Sequence, residues 1–312
     1  MLDWPLVAPW YRVADVGDAL VLEHGQAAVR FDGAAATTLL PRLLPLLDGT
    51  RTVDEVVACL GERIRPAVEH ALRLLEERGL LREGPPASDG RDTVARLLAA
   101  SGPHRSESEL ARVLGMARVA VVGSGRTAAD SARALREAGI GTVTRGPWEV
   151  APEVELVVAA PAREELERLG SWNRAALAAE LPWLQVLPFD GRFAAVGPLY
   201  LPGETCCQAC YRLRRHANVP YPDEFEAVEA VSSQAATPPP LAGVLAGLAA
   251  LVVARWLATA DPTLPGRLFA VELRQGPAVA AHHVYRVPRC PDCSERTARP
   301  LPWFKETGAA VA

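Results

Sequence analysis

The chain has 312 residues, enough for two domains at roughly 150 residues each. Hydrophobic residues make up 49% and charged residues 22%, which excludes a disordered or fibrous chain. Lys and Arg total 33 against 37 Asp and Glu, and the formal net charge of −4 argues against a protein that coats nucleic acid or an anionic membrane. The N-terminus, Met-Leu-Asp-Trp-Pro, lacks a basic segment followed by an apolar core, so a cytoplasmic location is expected.

Three short alternating segments open the chain: Tyr11–Ala14, Ala19–Glu23 and Ala27–Phe31. They read as strands joined by Asp-Val-Gly-Asp and His-Gly turns. A Leu-rich helix is expected from about Ala35 to Leu47 despite Pro41 and Pro45, followed by the Asp48-Gly49 turn. Thr52-x-x-Glu55 is a capping box that opens a second helix over Val53–Leu60. A third helix, about Pro66–Arg78, carries Val68, Leu72 and Leu75 on one face and ends at Gly79. Residues 1–84 therefore read as a winged-helix-like module. Residues 85–115 hold a Pro/Gly/Ser linker and two connecting helices, Thr93–Ala100 and Glu107–Leu114.

From residue 116 the pattern becomes a βαβ alternation, predicting an α/β domain to residue 312. Expected strands are Arg118–Val122, Gly139–Thr144, Glu155–Ala160, Leu184–Pro188 and Arg192–Val196; expected helices are Thr127–Ala138 and Arg163–Leu169. Leu241–Leu257 is nearly all apolar, but Arg255 interrupts it and three prolines precede it. It reads as a buried helix and not a membrane span.

Four of the six cysteines form Cys207-x-x-Cys210 and Cys290-x-x-Cys293. In a cytosolic chain two such pairs point to a structural tetrathiolate zinc site, because a two-residue spacer lets both thiolates reach one ion and no open coordination position remains. A redox pair is the competing reading. Cys206 would need a three-residue spacer to serve as a ligand, and Cys59 reads as a core thiol. Gly123-Ser124-Gly125 ends a strand and opens a helix, the setting of a nucleotide loop. The next strand ends Thr144-Arg145 with no carboxylate to hold a ribose, so a packing role for Gly123 and Gly125 is expected and ATP is not. His282-His283 has no acid at a telling spacing and reads as strand, while Ser232-Ser233 and Asp223-Glu224 read as a polar loop.

The region from Gly123-Ser-Gly125 through Pro202-Gly-Glu-Thr-Cys206-Cys207-Gln-Ala-Cys210 to Cys290-Pro-Asp-Cys293 resembles the ThiF/MoeB (ubiquitin-activating-enzyme-like) family. That resemblance implies a Rossmann-type α/β domain, a structural four-cysteine zinc and a homodimer, here through Leu241–Leu257. Leu46-Leu47-Asp48-Gly49-Thr50-Arg51-Thr52 and Leu74-Leu75-x-x-x-Gly79-Leu80-Leu81 resemble the PqqD-like peptide recognition element. The combination is similar to the ThiF-like partner proteins of azole-forming cyclodehydratases. Active adenylating members carry acids where this chain has Thr144-Arg145-Gly146-Pro147 and Ala159-Ala160-Pro161.

The resemblance therefore implies a non-catalytic adaptor that presents a precursor leader peptide to a separate YcaO cyclodehydratase in thiopeptide-like biosynthesis. The leader would add as a strand beside Ala27–Phe31, contacting Val29, Phe31, Ala71, Leu74, Leu75 and Arg78, with Arg30 and Arg73 facing its carboxylates. An ATP-dependent enzyme that adenylates a peptide is the alternative. A DNA regulator is disfavoured because Glu69, Glu76 and Glu77 share the third helix with Arg73 and Arg78.

Overall fold

The computed structural model describes residues 2–25, 27–86, 93–100, 106–150, 153–231, 236–274 and 276–294. Ser232 and Ser233, and most of the expected linker, lie outside the described residues. The chain divides into two compact units, Met1–Gly115 and Met116–Ala312.

The first unit begins with β1 (Pro5–Val7), then the antiparallel meander β2 (Arg12–Asp15), β3 (Ala19–His24) and β4 (Ala27–Asp32). The expected helix over Ala35–Leu47 is broken into α1 (Ala34–Thr38), α2 (Leu40–Leu43) and a 3-10 turn at Leu44–Leu46. The two prolines explain this. Each lacks an N–H and is accepted only in a first helical turn, which is where Pro41 and Pro45 each sit.

Helix α3 (Val53–Leu60) starts with the capping box: Glu55 N–H donates to Thr52 Oγ1 at 3.3 Å, and Thr52 N–H donates to the Glu55 carboxylate at 2.8 Å. Helix α4 (Arg65–Glu77) buries Val68, Ala71, Leu72 and Leu75 against α3 and the meander. β5 (Leu81–Glu83) then returns to pair with β1, a pairing that joins the two ends of this segment and leaves no local sequence signal. Helices α5 (Thr93–Ala100) and α6 (Glu107–Met116) follow.

The second unit is built on β6 (Arg118–Val122), α7 (Gly125–Glu137), β7 (Thr142–Gly146), β8 (Leu156–Ala159), α8 (Arg168–Ala178), β9 (Trp183–Leu187), β10 (Phe193–Tyr200), α9 (Gln208–Asn218), α10 (Phe225–Glu229), α11 (Pro239–Thr259), β11 (Arg267–Glu272) and β12 (Ala278–His283). One seven-stranded sheet runs β12-β11-β10-β9-β8-β6-β7. Its β7-β6-β8-β9 half is parallel, and β10 to β12 continue it antiparallel. Strands β6, β8 and β9 are apolar on both faces, as a sheet covered on both sides requires. The chain crosses from one side of β6 to the other between β7 and β8, so the β6–α7 turn lies at the switch point where such sheets form crevices.

Among the described residues α11 alone is long and apolar enough to cross a membrane. It has internal partners, packing against α7, β9 and β10 with 56% of its apolar window buried.

Candidate functional site

The four cysteines of the two Cys-x-x-Cys pairs converge in the second unit. Cys207 caps the N-terminus of α9, which carries Cys210 on its first turn; Cys290 and Cys293 follow β12. All four sulfurs lie within 4.8 Å of one another and all four residues are buried. The Sγ separations are 3.8 Å for Cys207–Cys210 and 3.6 Å for both Cys207–Cys290 and Cys210–Cys293. Four sulfurs about 2.3 Å from a central zinc stand about 3.8 Å apart at the corners of a tetrahedron. A disulfide needs about 2.05 Å, so none of these sulfur pairs is a disulfide in this structure.

The surroundings fit a cation held by four thiolates. The Val287 N–H donates to Cys210 Sγ at 3.3 Å. Hydrogen bonding from Cys207 pulls the Cys210 thiol far below its ordinary range, while the same contact pushes Cys207 far above it. A divalent ion bound by four thiolates leaves two surplus negative charges. The Arg286 guanidinium lies where its charge acts on the neighbouring Cys206, and its Nε and Nη2 are buried with no hydrogen-bond partner among the described residues. Arg214 donates to the Tyr285 carbonyl at 2.5 Å and to the Arg286 carbonyl at 3.0 Å, fixing the backbone that leads into the second cysteine pair.

Cys206 is buried beside this cluster but is not part of it. Burial, then the neighbouring Cys210 and Cys293, push its thiol up to about 12, so it stays protonated and unreactive at neutral pH. Cys59, expected in the core, is exposed on α3 instead. Val56 and Val57 occupy the buried face of that helix, and Cys59 falls on the opposite one.

Asn173, which with Arg174 comes too late in the chain to match the adenylating family, has a role that sequence reasoning did not find. Its side chain is wholly buried on α8 and joins the two cysteine pairs, donating to Asp292 Oδ2 at 2.7 Å and accepting the Gln208 N–H at 3.0 Å. An Asn inside an otherwise amphipathic helix, together with an Asp between the last two cysteines, is the signal that could have found it.

The glycine loop joins β6 to α7. A Cβ on Gly123 would stand 2.1 Å from the Ala160 carbonyl oxygen, so glycine is needed there for the chain's own backbone to pass. Gly125 has φ +78°, open to glycine and strained for other residues. The Thr144-Arg145-Gly146 end of β7 is exposed. His282 and His283 lie exposed on β12, where the His283 ring packs on Tyr285 with ring centres 4.5 Å apart.

In the first unit, β4 is an edge strand that pairs only with β3 among the described residues. Phe31 and Ala71 are buried and Val29 and Leu74 half-buried in one apolar cluster shared by β4 and α4. Leu75 lies deeper, only 1% exposed, within the core itself. Arg73 and Arg78 are exposed with no ion-pair partner among the described residues. Arg30 already pairs with Asp32 at 2.7 Å and Asp18 at 3.2 Å.

No protein-family model matches the chain, and no curated protein matches it. Solved structures do. The heterocyclase TruD superposes over 94% of this chain and 43% of its own, at 25% identity and a TM-score of 0.72. The microcin C7 biosynthetic enzyme MccB, in complex with N-formylated MccA, superposes over 93% of this chain and 99% of its own, at 15% identity and a TM-score of 0.64. MccB of E. coli with ATP gives 16% identity and the same TM-score of 0.64. The chain thus spans less than half the length of TruD and nearly all of MccB, and its likeness to MccB is one of fold.

Proposed function

We propose that this protein is a non-catalytic partner in the biosynthesis of a ribosomally made, modified peptide. It captures the leader segment of a precursor and presents the remainder to a separate YcaO cyclodehydratase, which forms azolines or thiazoles from Cys, Ser or Thr in a thiopeptide-like pathway. In this reading residues 1–84 are a PqqD-like winged-helix recognition element, residues 85–115 a linker with connecting helices, and residues 116–312 a ThiF-like scaffold in the cytoplasm stapled by one structural Zn²⁺.

The observation that carries the reading is the open edge of β4, whose Val29 and Phe31 share one apolar cluster with Ala71 and Leu74 of α4. An extended peptide pairs its main chain with such an edge, while Val29, Phe31, Ala71 and Leu74 offer it an apolar floor. Arg73 on α4 and Arg78 at its C-cap are exposed, with no ion-pair partner among the described residues, and would face leader carboxylates. Leu75 supports it from within the core, and Arg30, held by Asp18 and Asp32, contributes less charge. The likeness to TruD, a heterocyclase, supports the cyclodehydratase association. Tethering by the leader raises the substrate concentration at the partner's active site. Two copies pair through the outward stripe of α11, where Val244 and Leu251 are exposed.

Fluorescence-polarisation binding of a labelled leader to the full chain tests the proposal. Binding in the low-micromolar range, unchanged by ATP, is expected. Leu74→Glu or Val29→Pro should weaken it by about tenfold or more, and Arg73→Glu more than Arg30→Ala. Binding that appears only with ATP, or that ignores all four substitutions, would overturn it.

A further inference from the structure

The Glu165 carboxylate lies in the glycine loop. Its Oε2 accepts the backbone N–H of Ser124, the N-cap residue of α7, at 2.7 Å and that of Ala162 at 3.0 Å. Its Oε1 accepts the Trp148 indole N–H at 3.2 Å. Ser124 and Glu165 are 41 residues apart in sequence, so this is a tertiary contact. In a working nucleotide loop the N–H groups at this helix N-terminus face a phosphate.

We infer that Glu165 is a built-in anion which fills the glycine loop in place of a nucleotide phosphate, making the loop a clasp between the β6–α7 turn and the segment that enters α8. Three features agree. Gly123 is required because any Cβ there would collide with the Ala160 carbonyl, and Gly125 by its positive φ, so neither glycine needs a ligand to explain it. The carboxylate engages donors from three places in the chain: the loop, its own turn and Trp148. An incoming phosphate would have to displace a carboxylate of like charge from a 2.7 Å hydrogen bond before reaching the Ser124 N–H.

Trp148 extends the clasp inward. It meets Trp172 edge-on with ring centres 6.1 Å apart, and Trp172 meets Trp183 at 6.3 Å. Trp183 packs on Tyr200 at 4.4 Å, and all of these belong to the cluster that contains the four cysteines. The turn at Glu165 is therefore tied to the same packed layer as the candidate metal centre.

This inference rests on the non-adenylating part of the reading above and is independent of leader capture. Its test uses the full chain, wild type and Glu165→Gln, a nearly isosteric change that removes the charge. Magnesium-ATP is titrated by calorimetry, and amide hydrogen exchange is followed at Ser124. Wild type is expected to bind no ATP up to ~1 mM. Ser124 is expected to exchange at least about tenfold faster in Glu165→Gln. Wild-type ATP binding below ~100 µM, or an unchanged Ser124 rate, would overturn the clasp. Leader binding measured on the same samples separates the two ideas. ATP binding with intact leader affinity removes only the clasp, and lost leader affinity without ATP binding removes only the adaptor.

Discussion

Asn173 and Asp292 are joined by a 2.7 Å hydrogen bond across 119 residues, and the same Asn173 side chain accepts the Gln208 N–H at 3.0 Å. One buried amide thus connects α8 to the residue after Cys207 and to the residue before Cys293. Removing it would leave the Gln208 N–H and the Asp292 carboxylate without these partners.

Asn173→Ala should therefore cost about 1–3 kcal/mol of stability, the usual penalty for orphaning a buried donor or acceptor. Asn173→Asp should cost more, because it sets a second carboxylate beside Asp292. Thermal denaturation of both variants checks the order, and an equal or reversed order would show that Asn173 does not link the pairs.

The cysteine geometry predicts about one zinc per chain by elemental analysis, with unfolding when a strong chelator removes it. Cys207→Ser, Cys210→Ser or Cys293→Ser should lose the metal and much of the stability. Cys206→Ser should keep the metal, since its thiol, pushed up to about 12, stands outside the four-sulfur set. In the folded protein Cys206 should resist alkylation at neutral pH. A folded, metal-free protein with all four clustered thiols open to modification would contradict the site.

Arg286 should matter to the metal through charge. Its guanidinium Nε and Nη2 are buried with no hydrogen-bond partner among the described residues, and Arg286→Met keeps much of the stem volume while removing the cation. Zinc affinity, measured by competition with a chromophoric chelator, should fall about 10- to 100-fold, the range for residues that support metal ligands from outside. Arg286→Lys should recover part of the loss. Unchanged affinity in Arg286→Met would remove the counter-charge role.

The clasp also has a pH signature. Burial works to raise the Glu165 carboxyl, but hydrogen bonds from the Ala162 and Ser124 amides and the Trp148 indole outweigh it, and the net shift is downward from 4.5. A carboxylate lowered in the folded state contributes stability above its unfolded value, and that contribution is lost as pH falls through the folded one. The Trp148 indole resonance should thus titrate with a midpoint below 4.5. Movement centred above 4.5 would mean the carboxylate is not held as described.

Much of the fold was legible because its signals are local. The Thr52–Glu55 capping box is written within four residues, α3 has the expected bounds of Val53–Leu60, and β6 begins and ends where its apolar run does. Where short-range rules compete, the reading slipped. Leu periodicity over Ala35–Leu47 suggested one helix, but Pro41 and Pro45 divide it into three pieces. The helix expected over Arg163–Leu169 is a 3-10 turn at Arg163–Glu165 and then α8, which runs on to Ala178.

Two thiol pairs of this spacing, by themselves, pointed to the cysteines belonging together, since the chemistry of a soft tetrahedral ion depends on residue type and short spacing. Which groups surround them was decided only by the tertiary structure. Asn173 reaches Asp292 from 119 residues away and Glu165 reaches Ser124 from 41, and hydrogen bonds at such separations leave no periodicity in sequence. The glycine loop shows the difference most directly. Its glycines stand in the setting of a nucleotide loop and the missing acid after β7 already argued for packing, but the fold alone sets a carboxylate of the chain's own on Ser124, because only packing decides which anion stands nearest a helix N-terminus.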